Sequence, residues 1–144
     1  MAESLKEGDL EQSVMGALAR GGVIDITTTG RRSGRPRRIE VVFHNIDGRI
    51  NISGTPSPRR RSWLANLDAR PELTLHLKGP VRADLPAHAR IIEEESERRR
   101  ILAPIAGSWR RNDSGLWPSG AWRPSIETMV RQSPFIEITL DPAA

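Results

Sequence analysis

Between Val23 and Thr29 nearly every residue is β-branched, a run that suits a pleated strand. Gly30 then opens a polar segment through Arg31, Arg32, Ser33, Gly34, Arg35 and Pro36 that cannot continue it. From Arg37 to Ile46 the chain is strand-like again, Asp47-Gly48 is a two-residue hairpin signal, and Arg49 to Ser53 alternates around Ile50 and Ile52. Leu73, Leu75 and Leu77 alternate with Thr74, His76 and Lys78. Val81 to Ile92 resumes as a strand interrupted at Pro86, and Phe135 to Leu140 is a last strand.

Helical periodicity occupies the gaps. Glu11 to Arg20 places Val14 and Leu18 on one face and is closed by Gly21-Gly22. Arg59 to Asp68 carries Trp63, Leu64 and Leu67 at helical spacing, with an arginine-rich first turn, and Pro71 forbids its continuation. Glu93 to Ile105 is a charge-rich helix, residues 107–124 read as a loop, and Ser125 to Gln132 is a further short helix. The pattern predicts a mainly β fold: a small closed or half-closed barrel of about six antiparallel strands with flanking short helices. It is read as one domain over residues 1–144, with 1–21 a helical entry segment and 22–144 the barrel. Repeated βαβ units are missing, and the Gly30–Gly34 loop is neither a Walker loop nor a dinucleotide turn, because a strand follows it.

Composition narrows the chemistry. The chain has 144 residues and no cysteine, so disulfide scaffolds, thiol catalysis, iron–sulfur clusters and cysteine zinc sites are excluded. No apolar run is long enough to span a bilayer, and the first twenty residues lack the apolar core of a secretory signal, which predicts a cytoplasmic protein. The net charge is +4, yet residues 20–61 carry ten bases against three acids, and all ten are arginine. Arginine grips phosphate and carboxylate with a planar fork, so this stretch is either a site for an anion or a solvated basic face.

Ser33 and Gly34, among Arg31, Arg32, Arg35 and Arg37, are the equipment of an anion cradle: a hydroxyl, guanidinium groups, and a glycine able to turn successive N–H groups toward one oxyanion. Arg59, Arg60 and Arg61 would extend it into one basic groove if barrel closure brings the two together. His44, His76 and His88 stand without carboxylates at ligand spacing, so no metal is expected. Glu93, Glu94, Glu95 and Glu97 with Arg98, Arg99 and Arg100 form a charge-alternating helix face and no carboxylate dyad. No nucleophile motif surrounds any serine. Trp109, Trp117 and Trp122 either fill gaps beneath a connection or wall a flat pocket.

Taken in order, Thr27-Thr28-Thr29-Gly30-Arg31-Arg32-Ser33-Gly34-Arg35-Pro36-Arg37, the Asp47-Gly48 hairpin, Ser53, Trp63-Leu64-Ala65-Asn66-Leu67 and Arg70-Pro71-Glu72-Leu73 resemble the deazaflavin-dependent nitroreductase family over about residues 23–79. The resemblance implies a split β-barrel related to flavin-binding proteins. It also implies the deazaflavin coenzyme F420, with FMN the alternative, whose reduced form gives a hydride to a quinone, a nitro compound or a similar electron-poor small molecule. Arg32, Ser33, Gly34 and Arg37 would then hold the phosphate, with Arg31 and Arg35 near the oligoglutamate tail. Glu40, Val41 and Val42 would lie by the ring, and Ser53, Gly54, Trp63 and Asn66 would complete the walls. A homodimer is a further expectation of the family. The chain departs from the pattern at Glu40, at Gly54 and in having no tyrosine, so no catalytic residue is named.

Two other classes remain open at this stage. One is a barrel that binds or carries a flavin, F420 or a tetrapyrrole without turnover. The other is a basic nucleic-acid-binding barrel, opposed by the position of most tryptophans outside the basic stretch.

Overall fold

The structure, a computed structural model, describes residues 7–54, 56–57, 59–111 and 125–142. Helix α1 (Glu7–Arg20) leads into strands β1 (Gly22–Thr29), β2 (Pro36–Ile46) and β3 (Arg49–Ser53). Helix α2 (Ser62–Ala69) follows, then β4 (Glu72–Leu77), β5 (Ala83–Ile91), α3 (Glu95–Arg111), α4 (Ile126–Gln132) and β6 (Phe135–Leu140). The strands close into a six-stranded antiparallel barrel in the order β1-β2-β3-β6-β5-β4. Closure removes every free edge. The fold is therefore the split barrel with short flanking helices that the alternation and the resemblance predicted.

Alternation decides which side chains fill it. Ile24 and Ile26 of β1 pair with Val41 and Ile39 of β2, and with Phe43, Ile50, Ile52, Leu73, Leu75, Leu77, Ile136 and Ile138 they form the interior. Asp47 and Gly48 both have positive φ, 53° and 82°, as the two-residue hairpin between β2 and β3 requires. A second, smaller core lies outside the barrel. Ile92, Ile101, Leu102, Ile105, Ala106, Met129, Val130 and Phe135 pack together where α3 and α4 meet the outward-facing Phe135 of β6.

Several elements differ from the sequence expectations. Helix α1 begins at Glu7 rather than Glu11. The arginine-rich first turn is corrected: Arg61 is the extended residue before α2, at φ −69° and ψ 147°, so the three arginines precede the helix. The positive end of the helix dipole disfavours cations inside the first turn, and the helix starts after them. Strand β5 runs unbroken through Pro86, which stands opposite Thr74 at the end of the β6 pairing, where its carbonyl accepts from Asp141 N at 2.9 Å and only the reciprocal N–H is missing. Helix α3 continues through Pro104 to Arg111, so the loop expected from residue 107 is helical over its first five positions. Trp117 and Trp122 lie outside the described residues, and Trp109 is placed only as a position on α3.

Candidate functional site

The six residues between β1 and β2 form a turn that holds itself shut. Gly30 N donates to Arg35 O at 2.8 Å, Gly34 N donates to Gly30 O at 2.8 Å, and Arg35 N donates to Ser33 Oγ at 3.1 Å. Gly34 has φ +69°, the conformation glycine adopts without strain. Gly30 is required for space: a Cβ there would stand 2.5 Å from Ser33 Oγ. The amides of Gly34 and Arg35 are thus consumed inside the turn, and the anion cradle expected of successive N–H groups becomes chiefly one of side chains.

Asn66 of α2, buried at 6% exposure, brackets the turn to the barrel. Its Oδ1 accepts from Arg31 N at 3.1 Å and Arg31 Nη1 at 3.4 Å, while its Nδ2 donates to Thr28 Oγ1 at 3.3 Å. This places the turn beside the start of α2. The helix has no side-chain cap and no acidic residue in its first turn, so its N-terminal amides retain their pull on an anion.

Between turn and helix opens a pocket of about 410 Å³. The predicted Arg31, Arg32, Ser33, Arg37, Trp63 and Asn66 line it, and Gly30, Ile39 and Ser62, which the sequence reading missed, complete it. Ile39 could have been found by alternation, since it shares a face of β2 with Arg37; Ser62 could not, because its place depends on where α2 begins. Among the described residues no carboxylate forms an ion pair with Arg31, Arg32, Arg35 or Arg37. Such a cluster of cations beside an uncapped helix start suits a phosphate, and the Trp63 indole offers a flat wall.

The other predicted residues lie elsewhere. Gly34 and Arg35 shape the turn without lining the pocket. Glu40 and Val42 face the outside of β2, sharing that side with Asp25 and Val23 of β1, whereas Val41 faces the interior with Ile24. Glu40 is paired with Lys78, which also bonds Asp25 at 2.6 Å, and Arg38 bonds Asp25 at 2.9 Å. Hydrogen bonds from Lys78 and then Arg38 hold the Asp25 carboxyl below the usual range, and the same contact with Asp25 raises Lys78.

Ser53, 5% exposed, bonds the His44 ring nitrogen at 3.2 Å on the outer face. Burial pushes the His44 pKa down. Gly54 admits the close approach of Pro134, whose Cγ would stand 2.9 Å from a Cβ at that position. The single basic groove expected from Arg59, Arg60 and Arg61 is corrected as well. These three line a different pocket, of about 450 Å³, and the first turn of α2 separates the two: Ser62 and Trp63 face one, Arg61 and Leu64 the other. No helix among the described residues is long and apolar enough to cross a membrane.

Comparison with known proteins bears on this arrangement. A family model described as F420H(2)-dependent quinone reductase matches residues 7–112. The fold resembles Rv2991 of Mycobacterium tuberculosis, with TM-score 0.65 and 17% identity over 96% of this chain and 82% of that one. It also resembles a protein related to general stress protein 26, of the pyridoxinephosphate oxidase family, from Clostridium acetobutylicum, with TM-score 0.61 and 14% identity over 94% and 86%. An FAD-binding protein of Mesorhizobium loti matches with TM-score 0.58 and 12% identity over 96% and 91%.

Proposed function

The chain belongs to the F420H(2)-dependent quinone reductase family and is an F420-dependent oxidoreductase; on that footing we propose that the turn-and-helix pocket holds F420 and that the acceptor is a quinone or a similarly electron-poor molecule. One observation carries the reading. The barrel brings the unpaired guanidinium groups of Arg32 and Arg37, the Ser33 hydroxyl, the open start of α2 and the Trp63 indole into one cavity. Arg32, Ser33 and Arg37 would hold the phosphate, Arg31 would stand near the anionic tail, and Trp63 would wall the ring.

When bound, the reduced cofactor supplies the hydride. The protein binds and orients it and excludes water from one ring face with Trp63 and Ile39. Among the described residues the pocket lining contains no carboxylate and no imidazole.

The experiment is a titration of the protein with F420 and, separately, FMN, followed by tryptophan fluorescence. Saturable F420 binding is expected, weakened about tenfold by Arg32→Ala, the loss of roughly 1.4 kcal/mol that one charge-assisted contact supplies. Stopped-flow oxidation of F420H2 by a panel of quinones and nitroaromatics then tests the acceptor. Binding without oxidation by any of them would replace this reading with a carrier, and absence of F420 binding would remove the site.

A further inference from the structure

Thr27, His76 and Asp84 meet on the outer face of the barrel, and none of them lines the pocket assigned to F420. Inward positions are taken by Ile24, Ile26 and Thr28 on β1 and by Leu73, Leu75 and Leu77 on β4, so the residues between them point outward. His76 stands opposite Asp25 of β1 on one side and Asp84 of β5 on the other, while Thr27 stands opposite Arg38 of β2 and Thr74 of β4. Thr27 and His76 are therefore diagonal neighbours across the ladder, within reach for a hydroxyl and a long ring.

The three side chains form a chain of hydrogen bonds. Thr27 Oγ1 lies 2.7 Å from His76 Nε2, and His76 Nδ1 lies 2.6 Å from Asp84 Oδ1. A carboxylate only accepts, so Nδ1 of the neutral imidazole carries the proton and Nε2 is left to accept from the Thr27 hydroxyl. The bond to His76 holds the Asp84 carboxyl below its ordinary range and keeps it ionised for that task. Hydroxyl, ring and carboxylate in this order and at these distances are the arrangement in which a base activates an oxygen nucleophile.

Arg38 supplies the remaining element. Its Nε is anchored on Asp25 at 2.9 Å, and Asp25 is itself held by Lys78 at 2.6 Å, so the guanidinium is fixed beside Thr27. Its positive charge also acts on Asp84. The side chain is 56% exposed, and among the described residues neither Nη group has a hydrogen-bond partner. Such a cation stabilises a negative charge that develops on a carbonyl oxygen next to the hydroxyl.

We propose that Thr27 is the nucleophile of a second reactive centre, which takes the acyl group of small aryl esters and passes it to water. Thr27 Oγ1 bonds to the ester carbonyl carbon as its proton moves to His76 Nε2, and the carbonyl oxygen takes its negative charge against Arg38. The adduct then collapses: the bond from carbonyl carbon to aryl oxygen breaks, and the phenol leaves with the proton from His76. Water, deprotonated by the same ring nitrogen, cleaves the acyl-threonine to a carboxylic acid and restores the hydroxyl. Asp84 touches only the ring and is a positioning residue. An open sheet face gives little binding energy for orienting a large substrate, so the acyl group is small and the leaving group a good one.

Stopped-flow mixing of the full chain, with no F420 added, against p-nitrophenyl acetate tests the centre independently of the cofactor. A burst of about one equivalent of nitrophenolate per chain is expected, with acetyl on residue 27 in peptide mass maps of the acid-quenched protein. Thr27→Val should abolish that label, and His76→Gln should slow the burst about a hundredfold. Thr27→Ser should keep both burst and label, so that a folding defect in the valine variant does not hide the result. Asp84→Asn should slow the burst and Asp84→Glu restore most of it, whereas a merely structural Asp84 would shift melting midpoints and leave the rate of the folded protein alone. No burst, acetyl on lysine, histidine or the N-terminus in place of residue 27, or a burst that His76→Gln leaves unchanged overturns the proposal, whether or not F420 binds.

Discussion

Two sides of this barrel are rich in arginine, and they use it in opposite ways. Against the helices α3 and α4, Arg90 makes a forked pair with Glu97 at 3.0 and 2.8 Å, Arg99 forks onto Glu127 at 2.9 and 3.0 Å, and Arg98 is spent on three carbonyls. At the β1–β2 turn, Arg32, Arg35 and Arg37 have no such partner among the described residues, and Arg31 is tied only to the neutral Asn66. Both regions are rich in arginine; only one leaves it without acidic partners. An arginine satisfied within the protein holds structure, whereas an arginine left facing a pocket is free to hold a ligand.

The widest separation is expected at Arg98. Arg98→Ala leaves three carbonyls short of a charged donor and should destabilise the fold by about 3 kcal/mol, read as a lower urea midpoint at unchanged slope. The folded fraction should bind F420 lacking glutamates within about twofold of the wild type. A large loss of that binding would erase the distinction between the two sides.

Asn66→Ala should blur the comparison in a defined way, because Asn66 is buried and also positions the turn. A loss of about 2 kcal/mol in stability is expected together with a roughly tenfold weaker F420 Kd. If only one of the two changed, the bracket would not be what couples turn to barrel.

Within the turn itself, Arg37→Ala should weaken F420 by about tenfold while Arg35→Ala changes it by less than about threefold. Neither should move stability by more than about 0.5 kcal/mol, since both side chains are exposed and unpaired. Equal effects at the two positions would mean that lining the pocket is irrelevant to binding.

The smallest effect is one of pH, on the outer face near the helical cap. His44 is held below its ordinary value by burial, so the unfolded chain takes up a proton before the folded one does. Stability contributed there is complete above about pH 6.5 and is lost as pH falls toward the depressed folded value. Urea melts between pH 7.5 and 5.5 should show a decline that His44→Gln flattens. The Asp25 carboxyl, lowered by Lys78 and Arg38, adds a separate loss below the ordinary carboxylate range.

The alternation of Leu73, Leu75 and Leu77, the β-branched run before Gly30 and the Asp47-Gly48 turn determine the strands by themselves. Side-chain period and turn geometry are local properties that survive without tertiary contacts. The turn with Arg32, Ser33 and Arg37 was legible for the same reason: six adjacent residues carry it. The start of α2 was not, because Arg59, Arg60 and Arg61 fit helical spacing, and what excludes them is the charge at the helix end.

Tertiary structure alone decided the rest. Periodicity cannot say that Asn66 lies beneath Arg31, thirty-five residues away. Nor could it divide one expected basic groove into two pockets at the first turn of α2. Those facts follow from how the barrel closes, β1 against β4 and β3 against β6, and closure is set by the burial of the whole interior rather than by any short stretch of sequence.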